Sequence, residues 1–135
     1  MLAKGQCRCG KVEFKTELPL PLEDYHPREC DCDFCISRGI QYVSDPDGIL
    51  FLQKQYLNDS LKQGDRLADF IVCSQCDDVI AVVFRDKNQQ KAAINATLLN
   101  QYKDLGKPLT VSPKLLDSAE KVARWQSLWL ELIIV

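Results

Sequence analysis

The chain is short of histidine, of long apolar runs and of clustered positive charge, and each shortage excludes something. His26 is the single histidine among 135 residues, so any imidazole chemistry rests on one side chain, and no nucleophile–base pair of the Ser–His kind is evident. No basic run occurs, and 17 Lys and Arg stand against 19 Asp and Glu, a formal charge of -2. Nucleic acid and an anionic membrane surface are therefore poor partners. No segment approaches the roughly 20 apolar residues that cross a bilayer. Met1-Leu2-Ala3-Lys4-Gly5 holds no apolar stretch of signal-peptide length, so the expected location is cytoplasmic. Repeats and low-complexity linkers are missing too, and a chain of this length, 46% hydrophobic and 27% charged, reads as a single globular domain over residues 1–135. An even number of cysteines is the last absence. Seven are present, and a reduced compartment with an odd count in tight clusters argues against disulfides.

Short apolar runs separated by turn residues predict a mainly antiparallel β-domain. Lys11–Lys15 alternates charged and apolar residues. Pro19, Pro21 and Pro27 make Thr16–Pro27 an irregular loop. Gly39–Val43 and Ile49–Leu52 read as strands on either side of an Asp45-Pro46-Asp47-Gly48 turn. Asn58–Asp65 reads as a further turn and Leu67–Val72 as a strand. Val79–Phe84 is continuous and β-branched, the pattern of a strand buried on both faces, and Ala92–Leu98 follows it. Asp117-Ser118-Ala119-Glu120 is a helix start with a capping oxygen and an acid three residues later. Val122, Trp125, Trp129 and Leu132 then fall on one helical face. They are expected to cover the sheet, the alternative being an exposed face for a homodimer. Leu132–Val135 can end as helix or strand.

The cysteines carry the chemistry. They stand as Cys7-Arg8-Cys9, Cys30-Asp31-Cys32-Asp33-Phe34-Cys35 and Cys73-Ser74-Gln75-Cys76. Structural zinc sites are closed by four protein ligands, whereas catalytic ones keep a position open. The two pairs suffice for one closed site, Cys7, Cys9, Cys73 and Cys76. The triplet Cys30, Cys32 and Cys35 is left for a second zinc, either with a vacant place or closed by His26 as a structural site, and two zincs per chain are expected. Water, a substrate thiol or His26, which sits just upstream in the proline-bounded loop, is the candidate fourth ligand or proton carrier. Asp31 and Asp33 flank the sulfurs as solvated charges able to orient a ligand from behind. Zinc on three thiolates favours thiol handling over water activation, because three negative sulfurs lower the metal's acidity.

The ordered pattern Gly5-x-Cys7-x-Cys9-Gly10-x-Val12-x-Phe14, then Cys-x-Cys-x-x-Cys, then Cys-x-x-Cys resembles the glutathione-dependent formaldehyde-activating family, also called the centromere protein V family. The likeness runs from Gly5 to about Leu99. It implies an Mss4-like fold of twisted, mainly antiparallel sheets stapled by zinc, with the C-terminal helix lying outside the matched pattern. It also implies a structural zinc on Cys7, Cys9, Cys73 and Cys76 and an exchangeable one on Cys30, Cys32 and Cys35. The implied activity is that of a carbon–sulfur lyase joining a thiol such as glutathione to a small aldehyde. Asp31 stands where the family often has histidine, and Asp77 where a glycine commonly follows the last cysteine. Arg28, Arg38 and Lys54 are the candidates for holding a substrate carboxylate. Two other readings remain open: a non-catalytic binding module held together by zinc, and a thiol redox sensor that loses zinc on oxidation.

Overall fold

The structure, a computed structural model, describes residues 1–31, 33–62, 68–85, 89–111 and 117–134. It is mainly β, with eleven strands among the described residues and a helix near the C-terminus. The strands are β1 (Leu2–Gln6), β2 (Glu13–Glu17), β3 (Arg28–Cys30), β4 (Tyr42–Val43), β5 (Ile49–Leu52), β6 (Leu57–Lys62), β7 (Asp69–Cys73), β8 (Val79–Arg85), β9 (Gln90–Asn95), β10 (Leu109–Val111) and β11 (Leu130–Ile134). Helix α1 spans Asp33–Arg38 and α2 spans Ser118–Leu128.

One curled sheet holds all the strands. Its main path runs β1-β2-β5-β11-β9-β4-β3-β10, and β9 also pairs with β8, which leads on to β7 and β6. The branch is at β9: Lys91 and Ala92 pair with β11, Ile94 and Asn95 with β4, and the other edge with β8. Pairing is antiparallel except between β5 and β11 and between β3 and β10.

Strand alternation separates two apolar clusters. In β7, Ile71 and Cys73 belong to the larger cluster, with Leu50, Leu52, Ile80, Val83, Ile94 and Leu130, while Phe70 and Val72 belong to the other. That second cluster lies under α2 and gathers Cys35, Tyr42, Val82, Phe84 and Trp129, with Cys30, Val122 and Trp125 packed against it. β8 is buried along both faces, as its β-branched run predicts. Gly5 is where β1 passes closest to its neighbours: a Cβ there would stand 2.3 Å from the Phe14 ring and 2.5 Å from the Leu98 carbonyl oxygen.

One expectation needs correction. Asn58–Lys62 is strand, not turn: β6 pairs antiparallel with β7, with a register shift between Asn58 and Leu61. Among the described residues it pairs with β7 alone, and an edge strand tolerates the polar Asn58-Asp59-Ser60 that a central strand would not. The remainder of that segment, residues 63–67, lies outside the described residues. Leu132 continues the helical spacing, and of the two endings open to it, helix or strand, it takes the strand. α2 begins with the expected capping box, the Asp117 carboxylate accepting from the Glu120 N–H and the Glu120 carboxylate from the Asp117 N–H, but it ends at Leu128. The β-branched tail then enters the sheet as β11, between β5 and β9. Trp125 and Trp129 do cover the sheet, stacked at 5.2 Å, with Trp125 5.6 Å from Phe84.

Candidate metal centre

Two tight turns aim four sulfurs at one point. In the first, the Gly10 N–H donates to the Cys7 carbonyl, the Cys7 N–H donates to the Val12 carbonyl, and Gly10 takes a φ of +76°, which glycine adopts without strain. In the second, the Asp77 N–H donates to the Cys73 carbonyl, the Cys73 N–H to the Asp78 carbonyl, and Asp77 has a φ of 62°. That left-handed position suits glycine, and aspartate is among the few other residues that hold it readily. The N–H groups of Val12 and Gln75 donate to the sulfurs of Cys7 and Cys73, each at 3.4 Å, an arrangement that favours thiolate over thiol.

The ligand atoms of Cys7, Cys9, Cys73 and Cys76 all lie within 4.8 Å of one another. Cys7 and Cys9 sulfurs are 3.5 Å apart, Cys9 and Cys73 sulfurs 3.6 Å. A tetrahedral zinc with zinc–sulfur bonds of about 2.3 Å requires sulfurs about 3.8 Å apart, so the four fit such an ion. They are far too distant for disulfides, whose sulfurs lie about 2 Å apart. Cys7 and Cys73 are buried and Cys9 is exposed, so the site is rooted in the core and opens at its rim.

Electrostatics points the same way. Burial opposes ionisation of Cys7, but the Val12 N–H and the thiols of Cys9, Cys73 and Cys76 outweigh it and bring its pKa down to about 7. At Cys9 the Lys11 N–H favours the thiolate, yet burial and the three neighbouring sulfurs prevail and push it up to about 12. Cys73 is raised as well, first by burial. Of these three, Cys7 ionises near neutrality, whereas Cys9 and Cys73 need a cation beside them to do so.

An outer clamp joins the two turns. The Arg8 N–H donates to the Asp78 carboxylate at 2.7 Å, the Arg8 Nε stands 2.8 Å from the other carboxylate oxygen, and Nη2 donates to the Cys76 carbonyl at 2.8 Å. Arg8 lies between the first two cysteines and Asp78 two residues beyond the last, but nothing in their spacing predicts that they meet.

The triplet is placed differently. Cys30 ends β3 and is half-buried; Cys35 lies in α1, buried, with its sulfur 3.3 Å from the Tyr42 hydroxyl. Cys32 lies outside the described residues, and so do the side chains of Asp33 and Phe34, so the triplet is described only through its two ends. His26 is exposed, and its Nδ1 meets the Lys107 carbonyl at 2.9 Å. A carbonyl only accepts, so Nδ1 is the donor in this contact. Of the candidate carboxylate holders, Arg38 and Lys54 are exposed, whereas Arg28 is half-buried and donates from Nη2 to the Ser44 hydroxyl. Burial, and then the positive charge of Arg124, lower the Arg28 pKa to about 10.

The fold and site thus define a mainly β domain with a four-cysteine cluster able to hold a metal ion. Among the described residues no helix is long and apolar enough to cross a membrane. No protein-family model matches the chain, and no curated protein does. It is similar to a crystal structure of a Rhodobacter sphaeroides protein from a structural genomics programme. The two are 27% identical, with a TM-score of 0.57, over 80% of this chain and 99% of that one.

Proposed function

We propose that this protein is a zinc-dependent carbon–sulfur lyase acting on thiol–aldehyde adducts, in the manner of the glutathione-dependent formaldehyde-activating family. One observation carries the reading: four of the seven cysteines form a cluster with the sulfur spacing of a closed zinc site. The triplet is thereby left for separate use. Cys7, Cys9, Cys73 and Cys76 hold the structural zinc in this reading, and Cys30, Cys32 and Cys35 the second, exchangeable one.

A zinc held by Cys30, Cys32 and Cys35 would supply Lewis acidity to an incoming thiol, which would stay nucleophilic at neutral pH. In the synthetic direction the thiol sulfur bonds to the aldehyde carbon, the carbonyl π-bond breaks, and the proton lost by the thiol ends on the new hydroxyl. Cleavage is the reverse, so no oxidant or reductant is needed. Tyr42, by its contact with the Cys35 sulfur, fixes one arm of the triplet against the sheet. Water or the Nε2 of His26 carries the proton.

The test is zinc per chain by elemental analysis, before and after excess glutathione and desalting, followed by adduct formation from glutathione and formaldehyde observed by NMR. Two zincs, one made labile by the thiol, with catalysed adduct formation or cleavage, are expected. Two immobile zincs and no turnover across small thiols and aldehydes would overturn the proposal in favour of a zinc-held binding module.

A further inference from the structure

The four sulfurs of the metal centre are not equally reachable. Cys7 and Cys73 are buried, Cys76 is half-buried, and Cys9 alone of the four is exposed. The Cys9 sulfur also touches two of the others, that of Cys7 at 3.5 Å and that of Cys73 at 3.6 Å. Susceptibility of a cysteine to oxidation follows its thiolate character, its exposure and the presence of a second sulfur within reach. A bound cation supplies the first, since a coordinating thiol is deprotonated. The fold supplies the other two, and it supplies them at the same residue.

We infer that Cys9 is an oxidation site for small hydroperoxides, and that Cys73 resolves it into a disulfide. The inference requires zinc on the four cysteines and is independent of any lyase activity at the triplet. With hydrogen peroxide, the Cys9 sulfur bonds to one oxygen and the O–O bond breaks, leaving a sulfenic acid and a hydroxide that takes up a proton. The Cys73 sulfur then bonds to that of Cys9, the S–O bond breaks, and a second hydroxide leaves and takes up a proton. Two thiolates have lost one electron each, and the peroxide has become two waters. Cys7 and Cys76 remain, too few for a site that uses three or four protein ligands, so the ion is released.

Cys73 is favoured over Cys7 as the resolving sulfur because of how the turns are built. Cys7 and Cys9 share one turn, held by the Gly10 N–H on the Cys7 carbonyl and the Cys7 N–H on the Val12 carbonyl. A disulfide across a single residue must find its narrow geometry inside that fixed turn. Cys9 and Cys73 stand on separate turns that can each adjust, and the contacts of Arg8 with Asp78 keep those turns together. The new bond joins positions 64 apart, the same loop that the metal closes, and so keeps the constraint on the unfolded chain. Oxidation thus exchanges a metal staple for a covalent one.

The test treats zinc-replete protein with an equivalent of hydrogen peroxide, quenches with catalase and blocks the remaining thiols with N-ethylmaleimide. Mass-spectrometric peptide mapping then locates the disulfide, while a chromophoric chelator follows zinc release and circular dichroism the thermal transition. A Cys9–Cys73 disulfide is expected, with Cys7 and Cys76 alkylated, zinc released in step with it, and the cooperative transition retained. Dithiothreitol and zinc should restore the starting state. Cys9→His leaves three cysteines and one histidine, a set that zinc accepts, and it should slow disulfide formation among the remaining sulfurs of this site several-fold. Oxidation that bypasses Cys9, or proceeds as fast in Cys9→His as in the wild type, overturns the proposal. A Cys7–Cys9 disulfide with loss of the transition overturns the resolving role of Cys73 and the covalent staple. A starting protein without zinc overturns the metal reading, and this proposal with it.

Discussion

The two groups of cysteines are built in opposite ways. Cys7 and Cys9 meet Cys73 and Cys76 across 64 positions of sequence, from two turns at the end of the larger apolar cluster, with backbone N–H groups aimed at sulfur. Cys30, Cys32 and Cys35 are local, spanning the end of β3 and helix α1, and the two described ones belong to the cluster on the other face of the sheet. A metal on the first group closes a long loop and so acts on the folding equilibrium. A metal on the second closes almost nothing. Under the proposed function such a metal would exchange without unfolding the domain.

The largest effect should come from breaking the long-range group. Cys73 is fully buried, and Cys73→Ser leaves three sulfurs and one hydroxyl to hold the ion. Structural zinc contributes on the order of 10 kcal/mol or more to small domains, comparable to the whole stability of a protein this size. Loss of the cooperative thermal transition is expected, by circular dichroism, and a strong chelator should do the same to the wild type. Cys30→Ser should differ in kind. The fold should survive with a Tm lowered by less than about 5 °C, zinc per chain should fall from two to one, and thiol-dependent turnover should vanish. Equal collapse in both variants would dissolve the contrast.

This contrast was only half legible in the sequence. The spacings of the four-cysteine group name its members because metal chemistry constrains them locally, and the β-branched run at Val79–Phe84 and the capping residues Asp117 and Glu120 show themselves for similar reasons. The rest depends on tertiary register. β6 escapes notice because an edge strand can be polar, and β11 stays open between helix and strand because Leu132 continues the helical spacing of Val122, Trp125 and Trp129. No local signal marks Arg8 for Asp78. The opposition of the two cysteine groups appears only once β7 sends Ile71 and Cys73 to one side and Phe70 and Val72 to the other.

A smaller effect should fall on the loop that feeds the triplet. Tyr25 donates its hydroxyl to the Asp45 carboxylate at 2.7 Å and accepts from the Leu20 N–H at 3.2 Å, tying the proline-rich segment to the turn before β5. Burial, and then Asp45, push its pKa up to about 12, above the value of about 10 in an unfolded chain. The folded state thus holds this proton longer. The contribution is whole below about pH 10 and is lost as pH rises towards 12. Tyr25→Phe should cost about 1–2 kcal/mol at neutral pH, and its gap from the wild type in denaturant midpoint should close across that interval. Zinc at the triplet should exchange faster in the variant, with the four-cysteine ion unaffected. Faster loss at the four-cysteine site instead would show that the loop supports the wrong end of the molecule.

The smallest effect should be at Arg8, where the two arms of the four-cysteine group are clasped from outside. Its side chain is 74% exposed and that of Asp78 15%, so the ion pair itself is worth about 1 kcal/mol or less. Arg8→Ala should lower Tm by only about 1–4 °C, and the difference should shrink in 1 M salt as the charges are screened. Asp78→Ala should cost more, although it breaks the same ion pair, because the Arg8 backbone N–H also loses its acceptor. Zinc release to a chelator should quicken in the order wild type, Arg8→Ala, Asp78→Ala, with the triplet's ion indifferent to all three. A salt-insensitive Arg8→Ala defect would instead place the weight on the Nη2 bond to the Cys76 carbonyl, making the clamp a backbone brace for the second turn.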